Sequence, residues 1–293
     1  MIAKNKMSEF FLELFTEEIP ANLQSAAREN LLSSFTEFLD KENIDYKNNA
    51  KVFSTPNRLV IYFKKINKEI VQNSEEIRGP NINAPDKAIE GFIKSNKIDI
   101  KEIYKKKTDK GEFYFYKKPF KKLETVEILG ENIPKILSTI KWKKSMKWGD
   151  FDLYWGRPLK SILAIFDEKP IKFKFHHLTS SNLTFIDKDF EEKTRSFKNF
   201  KSYLSYFKNI KVTIDNELRK NNIEKELIKL SSKKNLKVEI DKKLLKEVSE
   251  IVEKPKIISC SFDKRFLEIP KEIIITAMKY HQKYFPTFDN KKI

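Results

Sequence analysis

Strand-length apolar runs and helix-period apolar stripes follow one another irregularly along this 293-residue chain, and that irregularity constrains the fold more than any single motif. A parallel, doubly wound sheet needs a regular strand–helix–strand order, because each parallel connection must cross over, usually through a helix. Here short strand-like runs come in pairs before a helix intervenes, as at Val52–Thr55 and Leu59–Ile66. The sequence therefore predicts an α+β class with mixed, mostly antiparallel sheets and packed helices.

Ser8–Phe15 is an apolar run broken only by glutamates, and Thr16–Pro20 turns the chain into a helix reaching about Asp40. Leu23, Ala27, Leu31, Leu32, Phe35 and Leu39 form its apolar stripe. Glu17 and Glu18 sit where acidic residues favour a helix dipole, a simpler reading than a catalytic pair. A loop is expected from Arg78 to Pro85, overlapping a helix from Ala84 to Asn96, then strands around Ile100–Lys106 and Glu112–Lys118 across Asp109-Lys110-Gly111. Further helices are expected at Leu123–Ile140, Phe197–Phe207, Asp215–Lys233 and Asp241–Glu253, with a last one opened by Pro270. Leu159–Phe166 and Ile171–Phe175 read as a hairpin, with single strands at Lys211–Ile214, Ile257–Phe262 and Tyr284–Phe288. The chain divides into an N-terminal α+β region, 7–140, and a second, 141–293, whose final strand has no partner after it and reads as a fragment's end.

Lys+Arg 59 against Asp+Glu 42 leaves +17, a balance suited to a polyanionic partner such as nucleic acid. Only seven of the basic residues are Arg, so lysine-rich coding bias supplies a competing explanation for the excess. From Lys94 to Lys122 there are eleven Lys against Asp99, Glu102, Asp109 and Glu112, the composition of a basic surface rather than a core. Cys260 is the only cysteine, which excludes an intrachain disulfide and points to a reducing, cytoplasmic setting. No apolar run approaches the roughly 18 residues of a membrane span, and Glu9 and Glu13 interrupt any signal-like core.

Six glycines form neither a dinucleotide fingerprint nor a phosphate loop. One Cys and three His, two of them adjacent at His176 and His177, have no zinc-ligand spacing. Cys260 lies among Ile257, Ile258 and Phe262 and is expected to be a buried, inert thiol rather than a nucleophile paired with His281. Lys143-Lys144-Ser145-Met146-Lys147 has the wrong order for the class I synthetase Lys-Met-Ser-Lys-Ser loop. No metal, cofactor or catalytic residue is therefore expected.

The three tryptophans all fall between Trp142 and Pro158, interleaved with Lys143, Lys144, Lys147 and Arg157. Flat rings beside positive charge suit stacking on bases and neutralising phosphates; they equally suit a packed aromatic corner with a wet rim. The position between helix and hairpin favours the corner, with Lys143, Lys144 and Lys147 on its wet side. On that reading Trp148→Ala acts on the fold and Lys144→Ala on binding.

Several of these segments converge on one family. Phe11-Leu12-Glu13-Leu14-Phe15-Thr16-Glu17-Glu18-Ile19-Pro20, Thr55-Pro56-Asn57-Arg58-Leu59, Arg78-Gly79-Pro80, Lys87-Ala88-Ile89-Glu90-Gly91-Phe92 and Thr108-Asp109-Lys110-Gly111-Glu112 resemble, in order, motifs of the β subunit of bacterial heterotetrameric glycyl-tRNA synthetase. Lys144-Ser145-Met146-Lys147-Trp148-Gly149, Arg157-Pro158, Leu244-Leu245-Lys246-Glu247-Val248, Val252-Glu253-Lys254-Pro255 and His281-Gln282-Lys283-Tyr284-Phe285-Pro286 continue the series. The resemblance implies the N-terminal portion of such a subunit, starting near Met7, with a region similar to the B3/B4 domain of phenylalanyl-tRNA synthetase β. The family's HD-type and anticodon-binding domains are not in this sequence. It implies a non-catalytic role in glycine–tRNA ligase: contacts to tRNA(Gly), here assigned to Lys143, Lys144, Lys147 and Arg157, and assembly of two α with two β chains. ATP and Mg would be used on the α subunit. Where the family carries Gly-His-Arg-Phe, Ser180–Phe190 has no counterpart of the His-Arg pair, so no role is carried over for it. The alternative is a stand-alone RNA-binding or editing-like module derived from this family.

Overall fold

The computed structural model describes residues 6–72, 76–118, 121–186 and 193–289. The first elements are β1 (Met7–Thr16), α1 (Ala21–Lys41), β2 (Ala50–Thr55) and β3 (Arg58–Asn67). Next come β4 (Glu69–Gln72), β5 (Glu76–Asn81), α2 (Asp86–Asn96), β6 (Ile103–Thr108), β7 (Gly111–Lys117), β8 (Lys121–Glu124) and α3 (Thr125–Thr139). They are followed by β9 (Leu159–Phe166), β10 (Lys169–Pro170), β11 (Lys174–Phe175), β12 (Leu178–Thr179), β13 (Leu183–Phe185), β14 (Thr194–Ser196) and α4 (Phe200–Asn209). Last are α5 (Asn216–Lys233), β15 (Leu236–Val238), α6 (Lys242–Ile251), α7 (Lys271–Thr276) and β16 (Thr287–Asp289). Two compact units result. Lys68–Ile128 forms one, inserted between Lys6–Asn67 and Leu129–Ile293 of the other, and residue 140 lies inside the larger.

The larger unit is built on an antiparallel sheet in the order β10-β9-β1-β3-β2. β1 lies in the middle, with Leu12 opposite both Ile61 of β3 and Ala164 of β9. Seven consecutive residues, Phe10–Thr16, are buried because helices cover both faces, so the alternation of a half-exposed strand is missing. On one face Phe10 meets Phe35 of α1 at a centroid distance of 5.8 Å. On the other, Phe11 lies 5.5 Å from Phe200 and from Tyr203 of α4. α1 follows its apolar spacing closely: Leu23, Ala27, Leu31, Phe35 and Leu39 are all buried, and Pro20 sits just ahead of the first turn.

Glu13, read from the sequence as an interruption of an apolar run, lies on the α4 side of β1 and is fully buried. Its carboxylate accepts from Arg58 Nη1 at 3.0 Å and from the hydroxyls of Tyr203 and Thr184. Arg58 of β3 also donates to the carbonyl of Phe185 at 2.7 Å and lies over the rings of Phe15 and Phe207, at 4.7 and 4.3 Å. Burial opposes its charge, yet Glu13, Tyr203 and Glu253 outweigh that penalty and hold its pKa above the ordinary value. Burial first, then the Glu13 charge, pushes the Tyr203 phenol well up.

A second buried set docks the helices after α4. Arg28 of α1 donates to Glu250 of α6 at 2.8 Å and also to Ser54 of β2. Arg219 of α5 donates to the backbone carbonyls of Ser54, at 2.9 Å, and Ser249, at 2.6 Å. Asp215 and Asp241 cap α5 and α6 by accepting from the first-turn amides, as their positions before those helices imply.

The structure corrects several expected elements. Residues from Arg78 to Asn81 belong to β5 rather than to a loop. The turn after β9 is tight, with Asp167 and Glu168 both at positive φ, but the returning strand is only Lys169–Pro170; the Ile171 N–H still donates to the Ala164 carbonyl at 2.9 Å, and Lys172–Phe173 do not continue the strand. Lys211–Ile214 is not a strand; Val212 and Ile214 instead enter the core beside Phe200, Tyr203 and Phe207. Ile257–Phe262 is not a strand either, and Cys260 is exposed, not buried, with Ile258 and Phe262 exposed beside it. An apolar, β-branched run specifies a strand only when a neighbouring strand offers a free edge. The final strand β16 has a partner, the earlier β15. Asp187–Phe190, part of the stretch that departs from the family pattern, lies outside the described residues.

Removing Arg58 leaves a carboxylate buried without its cation, so Arg58→Met is expected to cost about 3–5 kcal/mol of stability. The double change Glu13→Leu with Arg58→Met removes both charges and is expected to recover much of that loss. Urea unfolding of the two variants measures the difference, and equal midpoints would contradict the pairing.

Candidate nucleic-acid interface

The stretch from Lys141 to Pro158 leaves α3 and returns into β9 as a loop anchored at its base. Asn30 of α1 donates its side-chain amide to the Lys141 carbonyl at 3.1 Å. Met146 and Trp155 exchange backbone hydrogen bonds of 2.8 and 3.2 Å, closing the loop on itself. Below that bridge Trp142 and Trp155 meet edge to face at 5.2 Å, and Trp155 meets Phe175 at 6.0 Å. Gly156 allows this approach: a Cβ there would lie 2.3 Å from the Trp142 ring, closer than side-chain atoms approach. The aromatic corner therefore exists, but Trp142 and Trp155 build it. Trp155 is 2% exposed, whereas Trp148 is only half-buried.

The four sequence-predicted basic residues fare differently. Lys143 and Lys144 are exposed. Lys147 is exposed too, and it donates to the Asp152 carboxylate at 2.7 Å, a hydrogen bond that raises the lysine pKa and lowers that of the acid. Arg157 is half-buried, with Nη1 donating to the Gly156 carbonyl at 3.0 Å. Two free lysines, one compensated lysine and one arginine turned partly to the backbone give a graded cationic rim.

Two open rings and a thioether stand on this rim as well. Met146, Phe151 and Tyr154 are 41%, 46% and 64% exposed. Phe151 stacks on His177 with centroids 3.7 Å apart and planes 12° from parallel. His177 has a lowered pKa, from burial first and then the neighbouring His176, which keeps the ring neutral near pH 7. His176 and His177 occupy the two-residue turn between β11 and β12, so neither enters a sheet core. Sequence reasoning missed Phe151 and Tyr154 because an aromatic residue ordinarily signals the core. Their acidic neighbours Asp150 and Asp152 were the available hint that this segment faces water.

Among the described residues no group of three His, Cys, Asp or Glu is placed to hold a metal ion, and no helix is long and apolar enough to cross a membrane.

An α+β scaffold here carries an exposed loop that offers cationic side chains and accessible rings to solvent. The chain belongs to the glycyl-tRNA synthetase beta subunit family, whose sequence profile matches residues 10–293. It is 35% identical to the glycine–tRNA ligase beta subunit of Rickettsia canadensis (strain McKiel) over 283 residues, 97% of this chain and 42% of that protein. The corresponding protein of Rickettsia akari (strain Hartford) is 36% identical, with the same coverage. That of Rickettsia bellii (strain OSU 85-389) is 35% identical over 98% of this chain and 43% of its own length. The chain thus spans well under half the length of these relatives.

Because Trp155 fills the corner, Trp155→Ala is expected to cost about 3–5 kcal/mol, in the range of buried aromatic truncations. Trp148→Ala should cost clearly less. Thermal melts of both variants decide it, and a larger loss for Trp148→Ala would reverse the assignment.

Proposed function

We propose that the chain serves as part of the non-catalytic β subunit of a glycine–tRNA ligase, contributing contacts to tRNA(Gly) and to assembly with the α subunit in the cytoplasm. The observation that carries this is the family match across residues 10–293. In this reading two α and two β chains assemble, ATP and Mg are used on the α subunit, and this chain binds neither. The net charge of +17 and the exposed Lys143 and Lys144 support the tRNA-facing role. Lys147 and Arg157 act at the edge of the same contact, since each already has a protein partner.

Binding through phosphates releases counterions, so affinity for tRNA(Gly) should fall steeply with salt. The expected log–log slope is roughly −0.7 to −0.9 per phosphate contact. Lys144→Ala should reduce that slope by about one contact, roughly 0.7–0.9, while leaving the melting temperature unchanged. Filter binding across a potassium chloride series measures both quantities. Salt-independent binding, or ATP–pyrophosphate exchange by this chain without an α subunit, would overturn the proposal.

A further inference from the structure

The inserted unit carries a second cationic surface, separate in residues from the tryptophan loop. Its sheet has the order β5-β7-β6, and the register sets which side chains share a face. Arg78 and Tyr104 flank Phe115 from the two neighbouring strands, and Lys106 lies opposite Phe113. Residues directly opposite one another point to the same side of a sheet, so Arg78, Tyr104, Lys106, Phe113 and Phe115 form one face. The other side is the one α2 covers: the Phe92 ring lies where a Cβ on Gly79, the residue after Arg78, would project.

Electrostatics of the shared face are uniform but for one acid. The Arg78 guanidinium lies 3.6 Å from the Phe113 centroid, and Lys106 Nζ lies 5.3 Å from that of Phe115. Tyr104, 37% exposed, stacks at 6.2 Å and 28° against Phe115. Glu76 accepts from the Tyr104 hydroxyl at 2.7 Å and from Lys106, fixing both side chains in place. Lysines on an edge strand alone would be explained by protection against edge pairing. That explanation does not account for an exposed tyrosine lying on the sheet, or for a guanidinium plane held against a ring.

We infer that this sheet face binds unpaired RNA, with Tyr104 and the Arg78–Phe113 stack receiving bases and Lys106 meeting the backbone phosphates. An open tyrosine ring on a sheet, beside an exposed guanidinium, favours unstacked bases, which a duplex does not present. The inference deepens the proposed tRNA-facing role, and rests on it only for the identity of the RNA.

The test uses the full chain and a fluorescein-labelled ten-nucleotide single-stranded RNA, with a blunt duplex of the same length as comparison. Single-stranded RNA should bind more tightly than duplex. Tyr104→Ala should weaken it about five-fold or more, the lower end of what losing one base–aromatic stack costs, without changing the salt slope. Tyr104→Phe should retain binding, and the exposed Arg78→Gln supplies a second loss that is independent of the tyrosine; circular dichroism checks that each variant is folded. Wild-type affinity in both Tyr104→Ala and Arg78→Gln, equal binding of duplex, or equal competition by poly-glutamate would overturn the inference. A parallel titration with tRNA(Gly) separates the two proposals. Loss of tRNA binding with oligonucleotide binding intact counts against the tRNA role alone. Unaltered oligonucleotide binding in the variants, with tRNA still bound, counts against the sheet face alone.

Discussion

The Arg58–Glu13 pair sits where the two halves of the larger unit's sequence have to agree. Arg58 starts β3 and Glu13 lies in the centre of β1, so the pair spans adjacent strands of the sheet. Thr184 and Phe185 come from β13, Tyr203 and Phe207 from α4, and Glu253 follows α6. A buried ion pair is seldom a net source of stability compared with well-packed apolar residues, but each of its members is costly to leave unpartnered. That asymmetry ties segments more than two hundred residues apart, from Glu13 to Glu253, to a single arrangement, since misplacing any of them exposes a buried charge or hydroxyl to an apolar neighbour. Arg28–Glu250 and Arg219 extend the same logic to the outer strand β2.

A rigid floor of this kind matters for the tryptophan loop above it. Leu159, the first residue of β9, pairs with Thr16, and the Glu17 backbone N–H donates to the Pro158 carbonyl at 2.9 Å. The Glu17 side chain also pairs with Lys160. Through Glu17, the acidic stretch ahead of α1 braces the end of the loop. With Trp142, Trp155 and Gly156 packed at its base, the loop presents Lys143, Lys144, Phe151 and Tyr154 on a fixed mount. Precision at a binding surface comes from such support more than from the contacting residues themselves.

Much of the fold was legible because local signals and tertiary demands coincide. α1, α5 and α6 combine apolar periodicity with a proline or aspartate at the N-terminal boundary, and those features hold wherever the helix ends up packing. Pairing was less legible. Ile257–Phe262 has a strand's composition and no ladder partner, whereas β16 finds β15, some fifty residues back, a match that no local pattern encodes. At the site, the lysines could be named from charge and position. Whether Lys147 and Arg157 remain free depended on whether Asp152 and the Gly156 carbonyl came within hydrogen-bond reach.

By itself the sequence determined the α+β class, the approximate places of the main helices and, through an ordered run of motifs, the family; it did not determine every boundary, since Leu123 belongs to β8 and α4 begins at Phe200 rather than Phe197. Each of these depends on residues close together in the chain or on their order along it. Only the tertiary structure decided that Glu13 is a buried partner of Arg58 instead of a break in an apolar run, that Trp155 rather than Trp148 fills the corner, and that Arg78, Tyr104 and Lys106 share one sheet face. Burial and strand register are set by segments distant in sequence, and the worth of a charge or a ring follows from what those segments place beside it.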